Sequence, residues 1–237
     1  MTKNTKGYIL GAVAAVSYGT NPLFAVPLYE MGMDVSSVLF YRYIFATMIL
    51  GVIMWMRGDS FRLERRDLPL MVILGIFFAM SSVLLFEAYN YMDVGLASTL
   101  LFVEPVFIAL ILWFFYREKI SLWTIISIAI CLAGVVFLCN PGEGAHVTAT
   151  GVTLVVFSAL SYGLYMVLIN KSRIRRLSGS TLTFYSLLFG MIVFAARTDF
   201  FTAVQPVPSG WLPWGCIIGI SVVPTIISLM TVAISIQ

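Results

Sequence analysis

Residues 151–170, GVTLVVFSALSYGLYMVLIN, overlay residues 7–26, GYILGAVAAVSYGTNPLFAV, when the chain is shifted by 144 positions without a gap. The same shift pairs Phe40-Tyr41 with Phe184-Tyr185, Phe45 with Phe189, Leu68-Pro69 with Leu212-Pro213, and Gly75 with Gly219. Scattered identities come easily in apolar sequence, so the weight rests on the clusters, the constant offset and the preserved order. The positive charges do not follow the overlay. The loop holding Arg57, Arg62, Arg65 and Arg66 falls on residues 201–210, which contain no Lys or Arg, and the bare loop 29–35 falls on Arg173, Arg175 and Arg176. A duplicated unit whose basic loops change sides is threaded through a bilayer in opposite senses in its two copies.

Composition agrees. At 60% hydrophobic and 11% charged, the chain has too little polar surface to coat a water-soluble globule of 237 residues. Apolar runs able to cross about 30 Å of hydrocarbon as helices of roughly 20 residues lie near 7–28, 36–56, 68–91, 94–115, 120–139, 151–170, 181–197 and 211–236. The period-2 alternation of a barrel is absent, which leaves helices to satisfy the backbone in lipid. The fold class is therefore all-α, a polytopic membrane protein built as an inverted repeat.

Lys3, Lys6, the four Arg of loop 57–67, Arg117, Lys119, Lys171, Arg173, Arg175 and Arg176 make up twelve of the fourteen basic residues. With alternating helices all twelve fall on one side, which the positive-inside rule makes cytoplasmic, with the N-terminus on that side of the plasma (inner) membrane. Such short loop patches give nucleic acid no folded platform. Lys3 and Lys6 ahead of an apolar stretch imitate a secretory signal, but seven further spans favour an uncleaved first helix. Cys131, Cys139 and Cys216 show no metal spacing and read as small packing residues.

Five helices precede the turn signals Pro141-Gly142 and Gly144, and the repeat restarts at Gly151. An odd number forces the second copy to enter from the opposite face. The copies are 1–140 and 151–237. Gln237 aligns with Asp93, so residues 94–139 have no counterpart. The expectation is a ten-helix architecture with about eight helices in these residues, and poor transport by residues 1–237 alone; a natural eight-helix protein is the alternative.

A charge at the centre of a membrane helix costs at least ~2.5–3.5 kcal/mol and needs compensation. Arg42, Glu87 and Glu104 are the three such groups. Arg42 and Glu87 lie about 6–10 Å from the outer ends of their helices, and two readings stand side by side: a structural ion pair or snorkelling Arg, and contact with substrate. Glu104 sits near the midplane, directly before Pro105, which removes a backbone donor and frees a carbonyl one turn earlier. A carboxyl beside an interrupted helix suits a binding site, and one that gains and loses a proton would fit a proton-coupled carrier. Tyr18 and Tyr162 are equivalent under the repeat, near the middles of the first and sixth helices, with Asn21-Pro22 just after the first; they either stack on an organic substrate or fill gaps between helices. Gly11, Ala15 and Gly19, like Ala159 and Gly163, form small-residue stripes expected to pack helices.

The run Phe102-Val103-Glu104-Pro105-Val106-Phe107, then Arg117-Glu118-Lys119, then Leu132-Ala133-Gly134-Val135-Val136, resembles the EamA-type drug/metabolite transporters. Arg42 in Phe40-Tyr41-Arg42-Tyr43 looks like the second-helix Arg of that family, and Val94-Gly95-Leu96-Ala97-Ser98 resembles its third-to-fourth helix junction. The resemblance implies ten helices in two halves, a central cavity, and alternating access, usually to export amino acids, other metabolites or drugs.

On that basis the expected function is a secondary carrier for a small organic molecule, with substrate met by Tyr18, Tyr162 and Glu104. No ATP is expected, since no Gly-rich nucleotide loop of the Lys-Ser/Thr type is present. A membrane enzyme is a poor fit because the single His146 has no second imidazole and no nucleophile at recognisable spacing. A ligand-binding receptor or assembly subunit is the alternative. A channel would need a polar pore lining that these spans lack.

Overall fold

A computed structural model describes residues 3–138, 147–198 and 203–236, so Cys139, Pro141, Gly142, Gly144, His146 and Gln237 lie outside the described residues. Among the described residues every regular element is helical. In chain order these are α1 (Lys3–Gly19), α2 (Asn21–Glu30), α3 (Val35–Arg57), α4 (Leu68–Ala88), α5 (Val94–Leu100), α6 (Glu104–Tyr116), α7 (Leu122–Leu138), α8 (Ala149–Lys171), α9 (Gly179–Arg197), α10 (Trp211–Ser221) and α11 (Ser228–Ile236). Among the described residues seven stretches are long and apolar enough to span a membrane: Ile9–Glu30, Val35–Arg57, Leu68–Ala88, Val94–Tyr116, Ala149–Lys171, Gly179–Arg197 and Trp211–Val232. Leu122–Gly134 is a shorter apolar helix. The protein is thus a multi-pass membrane protein, and the helices fall where the apolar runs predict.

Local chemistry sets the ends. Asp34 caps α3, its carboxylate accepting from Ser36 N at 3.0 Å and Ser37 N at 3.2 Å, and Gly58 closes that helix at φ +71°, where a Cβ would be strained. Ser178, the repeat mate of Asp34, caps α9 by accepting from Thr181 N at 3.2 Å. Asp93 caps α5 in the same manner. α6 ends differently: Arg117, not a glycine, takes the left-handed conformation at φ +54°, at a cost of order 1 kcal/mol.

Contacts gather the chain into two units, residues 1–79 with 170–237 and residues 80–169. Each unit takes helices from both sequence copies. In the first, α3 packs along α9 and α1 along α11. Tyr43 lies within 4.6 Å of Phe194 and 5.6 Å of Phe78, centroid to centroid. Gly75 and Gly190 let α4 approach α9 backbone to backbone: a Cβ on Gly75 would lie 2.7 Å from Phe189 Cβ and 2.8 Å from Gly190 N. Without a hydrophobic driving force between helices in lipid, such close van der Waals contact is what holds them.

The inverted repeat is visible in individual hydrogen bonds. Tyr41 Oη donates to Gln205 O at 3.1 Å, and Tyr185 Oη donates to Phe61 O at 2.7 Å. Under the 144-residue shift Tyr41 maps to Tyr185 and Phe61 to Gln205, so the two bonds are images of one another. Around them, Gln205 N donates to Ser37 Oγ at 2.9 Å, while the mate of Ser37, Thr181, donates to Ser60 O at 2.8 Å.

At one of the two image ends, carboxylates and guanidinia pair across the copies. Asp67, fully buried, meets Arg173 Nε at 2.8 Å and Arg176 Nη2 at 3.0 Å. Arg176 also meets Glu64 at 2.8 Å, and Arg173 Nη2 donates to Arg66 O at 2.6 Å. Hydrogen bonds to Asp67 and then Glu64 push the Arg176 guanidinium above its ordinary range. These contacts put the basic loops 57–67 and 173–176 on the same end of the first unit, as their charge predicts.

In the second unit Ser158 Oγ donates to Ser81 O at 2.7 Å, joining α8 to α4, and Gly163 of α8 packs on Phe107 and Ile108 of α6. The equivalent glycine on α1, Gly19, faces open space, and a Cβ added there would meet nothing within 4 Å. The small-residue stripe expected to pack the first helix is therefore open at Ala15 and Gly19. α1 instead buries Ala14 and Ser17, and Ala14 O accepts from Ser228 Oγ at 3.1 Å.

Candidate substrate site

Pro22, Pro105 and Pro224 lie in membrane spans, and at each of the three the freed carbonyl is satisfied in its own way. Pro22 has no N–H for the carbonyl of Tyr18 four residues earlier. Asn21 replaces it, Nδ2 donating to Tyr18 O at 2.9 Å, and Thr20 Oγ1 donates to Ser17 O at 2.7 Å. Asn21 is 1% exposed, and its Oδ1 has no hydrogen-bond partner among the described residues.

Pro105 frees Leu101 O. The chain tightens into a 3₁₀ turn over Leu101–Val103, so that Glu104 N–H donates to that carbonyl. Glu104 then stands as the first residue of α6, partly buried, at a helix break. The carbonyl expected to be freed is thus taken up locally, and it is the carboxyl that the break presents.

Pro224 frees Ile220 O, and here the helix widens into a π-turn over Val222–Ile227. Thr225 Oγ1 donates to Ile220 O at 2.7 Å and accepts from Arg42 Nε at 2.6 Å. Arg42 is 1% exposed. Its guanidinium is turned into the protein, not out toward headgroups, and it is anchored there by a hydroxyl that a helix defect displays.

Of the residues expected to meet substrate, Tyr18, Asn21 and Arg42 belong to the first unit, and Glu87, Glu104 and Tyr162 to the second. Tyr18 is joined to Asn21 by the bond above. Tyr162 is 9% exposed, its ring 5.6 Å from that of Tyr165. Glu87 lies at the end of α4, its Oε2 3.4 Å from Asn90 Nδ2. Thr225 and Asp67 were not anticipated. Thr225 carried a signal, a hydroxyl residue directly after a proline inside an apolar span, parallel to Glu104 directly before one.

Among the described residues no group of His, Cys, Asp and Glu could hold a metal ion. What the arrangement offers is a set of polar groups at breaks in apolar helices, where the backbone can be irregular and still satisfied.

Comparison with known proteins is consistent across sequence and fold. The sequence pattern of the EamA-like transporter family matches residues 5–140. A Bacillus subtilis protein named as an uncharacterised transporter, YxxF, is 28% identical over 191 residues, 78% of this chain and 57% of that one. One from Clostridium kluyveri is 29% identical over 196 residues, 79% and 63%. An uncharacterised transporter of Archaeoglobus fulgidus is 30% identical over 213 residues, 90% and 71%. The chain thus spans about three fifths of the first two relatives. A crystal structure with 18% identity superposes with a TM-score of 0.76 over 99% of this chain and 80% of that one.

Proposed function

Because the chain belongs to the EamA-like transporter family, we propose that it works as a secondary carrier moving a small organic metabolite, amino acid or drug by alternating access, in the direction of export. The observation that carries this reading is Arg42, buried in a membrane span and bonded through Nε to the hydroxyl of Thr225 at a π-turn. An intramembrane cation tied to a helix irregularity is expensive as mere packing and useful as a recognition group for an anionic or zwitterionic solute.

In this reading Arg42 and Asn21, whose Oδ1 is buried without a partner among the described residues, meet polar groups of the substrate. Tyr18 and Tyr162 supply aromatic faces. Glu104 contacts substrate or carries a coupling proton, and Glu87 balances intramembrane positive charge. Residues 1–140 and 151–237 are the two units of duplication. The basic loops face the cytoplasm of a plasma membrane, with the N-terminus inside.

The test works whatever the substrate is. Cells expressing the complete reading frame that contains these residues are compared with cells expressing Arg42→Gln and Glu104→Gln at equal membrane abundance. Untargeted mass spectrometry of the medium should find at least one small molecule roughly fivefold more abundant outside wild-type cells, an excess of order 1 kcal/mol in equilibrium terms. Identical media for all three strains, with identical drug sensitivities, would remove the carrier reading.

A further inference from the structure

We propose that the groove where α6 meets α7 holds the headgroup of an anionic phospholipid. The groove, of about 700 Å³, is lined by Trp113, Phe114, Arg117, Lys119, Ile120 and Ile125, with Glu118 on the same turn. Its walls are apolar and face outward: Trp113 is 55% and Phe114 71% exposed. Trp123, the second residue of α7, is 78% exposed. Aromatic rings at the end of a membrane helix sit at headgroup level, with an apolar body toward the chains and a polar edge toward water.

The cations close the other end. Neither Arg117 nor Lys119 has a hydrogen-bond or ion-pair partner among the described residues, and Glu118 offsets only one of the two charges. Both belong to the basic-rich side of the topology, where anionic lipids attract Lys and Arg beside a span.

The backbone at Arg117 makes the side chain the point of the site. α6 finishes with Glu118 N donating to Leu112 O at 3.2 Å, and the residue between takes φ +54°. This is the left-handed closing position at which helices favour glycine, because any Cβ is strained there. An arginine kept where glycine would fit better is explained by a use for its guanidinium, and a bidentate donor fork matches a phosphodiester.

The purified chain is examined by native mass spectrometry with dioleoylphosphatidylglycerol and, separately, dioleoylphosphatidylcholine. Phosphatidylglycerol adducts should persist at collision energies that strip phosphatidylcholine, and fall at least about fivefold in Arg117→Gly and in Arg117→Gln with Lys119→Gln. Arg117→Gly should at the same time melt higher than wild type, so loss of the adduct in that variant is not loss of fold. Arg62→Gln with Arg65→Gln, exposed basic residues elsewhere on the same side, should leave the adduct unchanged. Wild-type adducts in Arg117→Gly, or equal retention of both lipids, overturns the proposal. A dimer mass that disappears in Arg117→Gly overturns it in favour of a second copy as occupant.

Discussion

The hydroxyl of Thr225 does two things at once, closing the carbonyl that Pro224 opened and anchoring Arg42. Thr225→Val keeps the shape and removes both bonds, and should destabilise the protein by about 1–3 kcal/mol in detergent unfolding. Thr225→Ser should restore more than half of that. Asn21 permits a sharper test through its neighbour. Asn21→Ala leaves Tyr18 O without its donor, a cost of about 1–3 kcal/mol; Pro22→Ala returns a backbone N–H to the same carbonyl, so the loss should shrink to well under half in that background, a coupling read by a double-mutant cycle. Arg42 and Glu104 were legible as functional candidates because a charge in an apolar run stands out. Thr225 stood out only by its place directly after Pro224, because threonine in a membrane helix is ordinary and it is the π-turn that brings its hydroxyl to Arg42.

Helices meet in this protein through small residues, but not through all of them. Gly75 and Gly219 are repeat mates and both are contact points, Gly75 against the backbone of α9 and Gly219 against the ring of Phe24. Gly75→Ala should cost about 1–3 kcal/mol, since the groups it would strike are backbone and a Cβ. Gly19→Ala meets nothing and should be neutral or stabilising by up to about 1 kcal/mol. Opposite signs in paired thermal melts check both. Sequence located the helices to within a few residues because length and apolarity fix a membrane span. It could not say which small-residue stripe packs: Gly163 finds α6 whereas Gly19 is open, and a four-residue spacing reads the same in either case. The break at Glu104-Pro105 was legible as well, but whether a freed carbonyl is met by an amide, a 3₁₀ turn or a π-turn depends on neighbours the sequence does not name.

For the whole molecule, the decisive contact is Asp67 with Arg173 and Arg176. It ties a loop of one copy to a loop of the other on the same side of the membrane. Cysteines placed at Arg65 and Arg175 should therefore react with an impermeant maleimide from the same side; labelling from opposite sides would break the topology. Asp67→Asn removes the charge both arginines share, and should speed hydrogen exchange of residues 59–67 at least about tenfold, about 1.4 kcal/mol of local opening. The opposite threading of the copies was legible in the loop charges, because Lys and Arg resist translocation whatever the packing. The regrouping of the copies into units was not, since α4 and α8 each contribute to both. The bonds Tyr41 to Gln205 and Tyr185 to Phe61 show what that regrouping entails: a tyrosine in each copy's helix holds the loop that follows the other copy's helix. Duplication here provides no spare. A lesion at either tyrosine injures the sister segment too, and fragments cut between the halves should stay clasped when expressed together.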